Sequence, residues 1–146
     1  RVGVVDDREA FANRHRFPEA AEVLVRSLSG PFEDLGVNAS TYLLLVTRGH
    51  QHDQDVLRWA AAQKAAYVGM IGSGAKRHAL FGALRAEGTP AEVLARVRTP
   101  MGLDIGAVTP GEIAVAVVAE MVAVRRGKEA SKTVRERVEK AEEGGT

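Results

Sequence analysis

The sequence predicts a three-layer α/β domain built on a parallel sheet, and three observations carry that reading. Short apolar runs alternate with helical patterns along the chain, as strand–helix–strand units require. The run Tyr42-Leu43-Leu44-Leu45-Val46 is apolar on both faces, which suits a parallel strand covered on each side better than an antiparallel edge. Two glycine-rich stretches, Tyr67 to Arg77 and Pro100 to Ile113, mark turns in apolar settings.

The elements follow in order. Val2–Val5 and Glu22–Val25 read as strands, Tyr42–Val46 as a central one. Asp53–Ala65 carries Val56, Leu57, Ala60 and Ala61 on one helical face, with Asp53 as N-cap. Ala66–Ile71 is a buried strand expected beside Tyr42–Val46, all strands forming one parallel sheet. Ser73–Glu87 is a helix bearing Ala79, Leu80, Ala83 and Leu84, and Gly88 ends it. Thr89-Pro90-Ala91-Glu92 is a capping box opening a helix to about Val97, and Leu103–Ile105 is a weak fifth strand. Thr109-Pro110-Gly111-Glu112 repeats the box and opens a helix to Arg126. Its run Ile113–Val124 is apolar nearly all round and reads as buried. Residues 1–127 therefore form the domain, and 128–146 a charged helical tail with a thin stripe of Val134, Val138 and Ala141.

The totals exclude several classes of function. A chain of 146 residues holds one domain with a real core. A net charge of +1 argues against nucleic acid as the partner. The absence of cysteine removes disulfides, thiolate metal sites and a cysteine nucleophile from this chain. No apolar run reaches membrane-spanning length and no secretory signal is evident, so no membrane partner and a cytoplasmic location are expected. The chain enters a strand directly after Arg1, and we read it as the later part of a longer protein.

Candidate ligand contacts gather after the strands, where open α/β sheets bind ligands. Asp6 ends the first strand, the place from which an acidic residue accepts hydrogen bonds from a ribose; a turn aspartate is the plainer reading. The Gly-x-Gly-x-x-Gly turn that should precede it is not in this chain. Arg48 could pair with a phosphate, Gly49 admit a close ligand, and His50 donate a hydrogen bond or carry a proton. His50, His52 and Asp53 lack the further ligands a metal site needs, so no metal is expected. Gly69, Gly72, Ser73, Lys76 and Arg77 have the physics of a phosphate cradle: small residues, a helix N-terminus, a hydroxyl and two cations. They do not match a Walker A loop. Gly102, Asp104 and Gly106 form a second glycine-rich loop, whose carboxylate could orient a ligand donor or cap the segment that follows.

Taken together, Val4-Val5-Asp6-Asp7-Arg8-Glu9-Ala10-Phe11-Ala12-Asn13, Arg16-Phe17-Pro18, Thr47-Arg48-Gly49-His50, Val68-Gly69-Met70-Ile71-Gly72-Ser73 with Lys76-Arg77, Gly102-Leu103-Asp104-Ile105-Gly106-Ala107, Thr109-Pro110 and Glu112-Ile113-Ala114-Val115 resemble the C-terminal Rossmann domain of the xanthine dehydrogenase accessory family (XdhC/CoxI-type). The resemblance runs over roughly residues 1–127. It implies a Rossmann-like domain lacking its first β-α unit. It also implies a maturation factor that binds the molybdenum cofactor, a pyranopterin (molybdopterin), and protects it while its terminal sulfur is installed. A cysteine desulfurase partner supplies the sulfur, and an apo molybdenum hydroxylase of the xanthine dehydrogenase type receives the cofactor. On this reading the chain is a cofactor-binding chaperone rather than an enzyme, and a homodimer. Arg48, Ser73, Lys76 and Arg77 would meet the anionic groups, and Gly49, Gly69, Gly72, Gly102 and Gly106 would allow close backbone approach. Asp6 and Asp104 would bind pterin or ribose donors. A bound NAD(P) or another nucleotide, an NAD(P)-dependent oxidoreductase domain and a structural dimerisation module are the alternatives. The family's upstream domain with its cysteine motif is not in this chain, and Ser73-Gly74-Ala75-Lys76 is less basic than in many relatives.

Overall fold

The computed structural model describes residues 1–48 and 50–128; the tail helix expected beyond residue 128 lies outside them, as does Gly49. Among the described residues, five strands and four α-helices follow one another: β1 Gly3–Asp6, β2 Glu22–Val25, β3 Tyr42–Leu45, α1 His50–Ala62, β4 Tyr67–Met70, α2 Gly74–Ala86, α3 Ala91–Ala95, β5 Val97–Arg98 and α4 Pro110–Arg125. A 3-10 turn at Glu33–Leu35 precedes β3.

Every strand pair is parallel. β3 lies against β4 in the register Tyr42↔Tyr67 to Leu45↔Met70, and β4 against β5 with Val68↔Val97. β1 pairs with β2 from Gly3↔Glu22 to Asp6↔Val25. The expected single sheet is nevertheless two, ordered β1-β2 and β3-β4-β5, which makes β3 an edge rather than a central strand. The reason is topological. In the doubly wound order 3-2-1-4-5-6 the first strand stands between the second and the fourth. With β1 and β2 as the second and third strands and β3 to β5 as the fourth to sixth, the sheet divides where that first strand belongs.

Alternation along the strands sorts the layers. Leu45, Val68, Met70 and Val97 face one way and bury against Leu57, Ala60 and Ala61 of α1, Leu80, Phe81 and Leu84 of α2 and Leu94 of α3. Tyr67 and Gly69 face the other way, toward α4, where the Tyr67 hydroxyl reaches Glu120. The core therefore sits under α1–α3. Phe32 of the β2–β3 connection closes it against Trp59 of α1, with ring centroids 4.9 Å apart.

Three elements differ from the sequence reading. The fifth strand is Val97–Arg98, not Leu103–Ile105: two residues suffice to pair with β4, and Leu103 instead donates its N–H to Ala116 of α4. The box at Thr89 does not form. Pro90 is the N-cap of a five-residue helix, and Thr89 donates to the Leu84 carbonyl at the end of α2. The box at Thr109 forms in full, with Glu112 accepting the Thr109 N–H and Thr109 the Glu112 N–H. Lastly, α4 is not buried all round. Ala116, Val117 and Glu120 are covered, whereas Val115, Val118 and Val122 are bare, because the helix rests on the sheet by one side only. Among the described residues no helix is long and apolar enough to cross a membrane.

Candidate functional site

The sequence-flagged residues lie at or beyond the carboxyl ends of strands, apart from Gly69 inside β4, and they fall into three clusters with different states of charge. The first is the turn from β4 into α2. Ser73 caps α2 by accepting the Lys76 N–H at 3.3 Å. Lys76 then folds back over Gly72, its Cδ 3.0 Å from where a Gly72 side chain would begin. Its ammonium ends 2.6 Å from Oδ2 of Asp53. Asp53 is fully buried, and the Thr47 hydroxyl donates to its other oxygen. Asp53 is therefore not the expected N-cap. α1 begins three residues earlier, at His50, which brings the carboxylate inside the first turn. There it complements the positive helix end. The Arg77 guanidinium lies 5.2 Å over the Phe81 ring.

The second cluster joins β5 to α4 around Glu120, a residue whose only sequence signature is a lone carboxylate within an apolar helical run. Glu120 is buried. It accepts the Tyr67 hydroxyl at 2.6 Å, the Gly102 N–H at 2.9 Å and an Arg98 N–H at 3.3 Å. Two glycines make this possible. A Cβ at Gly69 would stand 2.5 Å from the Tyr67 ring, so only glycine lets that ring cross the sheet toward α4. Gly102 has φ +102°, and a Cβ there would meet the α4 backbone at 3.2 Å. Both glycines thus admit the protein's own groups. Met101 ties the loop to the end of β4 by donating to the Met70 carbonyl. Asp104 and Gly106 stay exposed beyond it.

The third cluster gathers the loops after β1, β2 and β3. Asp6 holds Arg8 by two parallel bonds, Nε to Oδ1 at 2.8 Å and Nη2 to Oδ2 at 2.9 Å, and also accepts the Arg8 backbone N–H. These bonds hold the Asp6 carboxyl down to about 2. Arg8 in turn covers Phe11, with its guanidinium carbon 3.9 Å from the ring centroid. Arg16 and Arg48 lie 5.1 and 5.6 Å from the same centroid. His52 stitches the loops together, with Nε2 4.0 Å from Asp7 and Nδ1 3.4 Å from Ser29 Oγ. Arg48 and Asp6 were singled out from sequence. Arg8, Phe11, Arg16 and His52 complete the cluster, and the density of arginines around one aromatic in Arg8–Arg16 is the trace they leave in the sequence. His50 opens α1 after Arg48.

Comparison with known proteins fits this architecture. The family model of the XdhC Rossmann domain matches residues 1–121, and the chain belongs to that family. It is 30% identical over 125 residues to YqeB of Escherichia coli (strain K12), covering 85% of this chain and 23% of YqeB. It is also 30% identical over 125 residues to a Bacillus subtilis (strain 168) protein described as a probable xanthine dehydrogenase subunit, covering 86% of this chain and 36% of that protein. A crystal structure from Bacillus halodurans, described as a xanthine dehydrogenase, superposes with a TM-score of 0.73 at 28% identity. The match covers 88% of this chain and 37% of that one. The chain thus spans about a quarter to a third of the length of these relatives.

Proposed function

We propose that this domain is the cofactor-carrying part of a maturation factor for a molybdenum hydroxylase of the xanthine dehydrogenase type. Its cargo would be the molybdenum cofactor, held at the carboxyl ends of β1 and β3. The observation that carries this reading is the convergence of three loops there, joined by His52 to Asp7 and Ser29 and by Arg48 to Phe11. That is where a doubly wound sheet reverses strand order and opens a crevice. The likeness to proteins named for xanthine dehydrogenase supports the choice of system.

The residues present fit an anionic cargo. Arg8 has a buried Nη1 without a hydrogen-bond partner among the described residues, and Arg48 is exposed beside it at the Phe11 ring. Asp104 and Gly106, exposed on the loop after β5 at the same end of the strands, complete the proposed contacts with His50 and Ser73. Bound here, the cofactor would supply the redox chemistry of the acceptor enzyme, while this chain only binds, shields and hands over. The cysteine desulfurase and the apo-hydroxylase belong to the same proposal, as does a second copy of the chain, with the bare valines of α4 as surface open to protein contact.

The engagement of both Asp6 oxygens by Arg8 counts against a ribose-reading carboxylate, and with it against an NAD(P) enzyme. Mass spectrometry of ligand released from protein purified with its flanking regions tests the proposal. A pyranopterin is expected; NAD(P) together with turnover of a carbonyl substrate would overturn it.

A further inference from the structure

We infer that the anionic end of the ligand is anchored by Arg16 and Arg48 on the Phe11 platform, with Arg8 supplying an additional donor. The α2 N-terminus, where a sequence reading puts the phosphate, is not the anchor. The ligand class is a phosphate or diphosphate group. The inference rests on the reading that this domain holds a phosphate-bearing cofactor, but not on which one.

Three observations carry it. The first is charge accounting. Arg8 is matched by Asp6 at 2.8 Å and Asp7 at 3.5 Å, and Lys76 by Asp53. Among the described residues, Arg16 and Arg48 have no carboxylate partner, although both lie against one ring. Cations brought together without a counterion repel one another, and an anion between them removes that cost. The second is the donor already noted on Arg8. Its Nη1 is buried and unpaired among the described residues, while Nε and Nη2 are fixed by Asp6. A buried unpaired guanidinium N–H is costly, and a ligand oxygen would satisfy it. The third is that the platform is held in place before any ligand arrives. Phe11 and Ala12 donate backbone N–H groups to the Arg8 carbonyl, Arg16 donates its N–H to the Asn13 side chain, and Ala12 is buried beneath. Phe11 itself is 38% exposed. The geometry therefore offers an ordered, open cationic surface, which planar bidentate guanidinium groups suit better than a single ammonium does.

The test is calorimetric titration of the intact domain with inorganic pyrophosphate, comparing wild type with R16Q/R48Q and with R77Q, each checked for an unchanged melting temperature. Replacing two charge-assisted anchors is expected to weaken binding by about tenfold or more. R77Q removes the cation of the first α2 turn that has no carboxylate partner among the described residues, and should change binding by less than about twofold. Loss confined to R77Q, equal binding in all three, or no binding of pyrophosphate by the wild type would overturn the assignment. The outcome is separable from the identity of the cargo. A nucleotide in the mass spectrum with the arginine dependence intact removes the molybdenum reading and leaves the anchor standing. A pterin bound without arginine dependence does the reverse.

Discussion

At the β4–α2 turn, the Lys76 ammonium lies 2.6 Å from a fully buried carboxylate. At the end of β1, Arg16 and Arg48 stand over one aromatic ring with no carboxylate beside either of them, among the described residues. In the sequence the first stretch looks like a phosphate cradle, and of the second only Asp6 and Arg48 stand out as candidate ligand contacts. In the folded chain the lysine is paired within the protein, while the two arginines meet an aromatic ring and, among the described residues, no carboxylate. The difference teaches that a cation at a helix N-terminus is a ligand contact only if nothing inside the protein claims it first. Asp53 claims Lys76, and the pair, with Thr47, clamps the loop after β3 to the helix after β4.

If the first region is structural and the second is for binding, substitutions should separate stability from affinity. The largest effect is expected from Lys76→Met, which leaves the buried Asp53 without its countercharge and should cost about 3 kcal/mol in a urea melt. A loss under about 0.5 kcal/mol would show that the pair does not hold the fold and would break the comparison. The paired change Asp53→Asn with Lys76→Met should recover much of the loss, since no charge then stays buried alone.

Next is Gly69→Ala. The added methyl would stand 2.5 Å from the Tyr67 ring, so the ring must move and slacken its bond to Glu120. About 1–3 kcal/mol of destabilisation is expected, with little change in pyrophosphate affinity. A neutral variant would mean that Tyr67 has room the structure does not show. Smaller still is Arg16→Gln, an exposed change expected to alter stability by no more than about 0.5 kcal/mol while weakening anion binding. A large stability loss there would make the arginine platform a structural feature like the clamp.

The Asp6–Arg8 pair adds a test by pH. The Asp6 carboxyl is held down to about 2, so its contribution is complete above the ordinary value of 3.8 and is lost as pH falls through about 2. Carboxyl NMR should show Asp6 titrating near the lower value. A midpoint near 3.8 would mean that the pair is open in solution and that Arg8 is not fixed beside Phe11.

Much of the fold was legible in the sequence because its signals are local. The box at Thr109-Pro110-Gly111-Glu112 needs four consecutive residues, and the two-sided apolarity of Tyr42–Val46 marked a parallel strand. What could not be read depends on partners distant along the chain. Asp53 and Lys76 are joined only because β3–α1 and β4–α2 pack side by side. Glu120 looked like an interruption until Tyr67 and Gly102 were seen to reach it. Residues Val97–Arg98 are too short a strand to leave a pattern. Of the candidate site, Asp6 and Arg48 were visible as charged residues after strands, but their convergence with Arg8 and Arg16 on Phe11 follows from loop geometry that periodicity does not encode.

One measurement tests the central claim most directly: a crystal structure of the domain grown with inorganic pyrophosphate. Anion density is expected against Phe11, within hydrogen-bond reach of Arg16 and Arg48, with the Lys76–Asp53 pair undisturbed. Density at the N-terminus of α2, with Lys76 swung away from Asp53 to meet it, would contradict that claim.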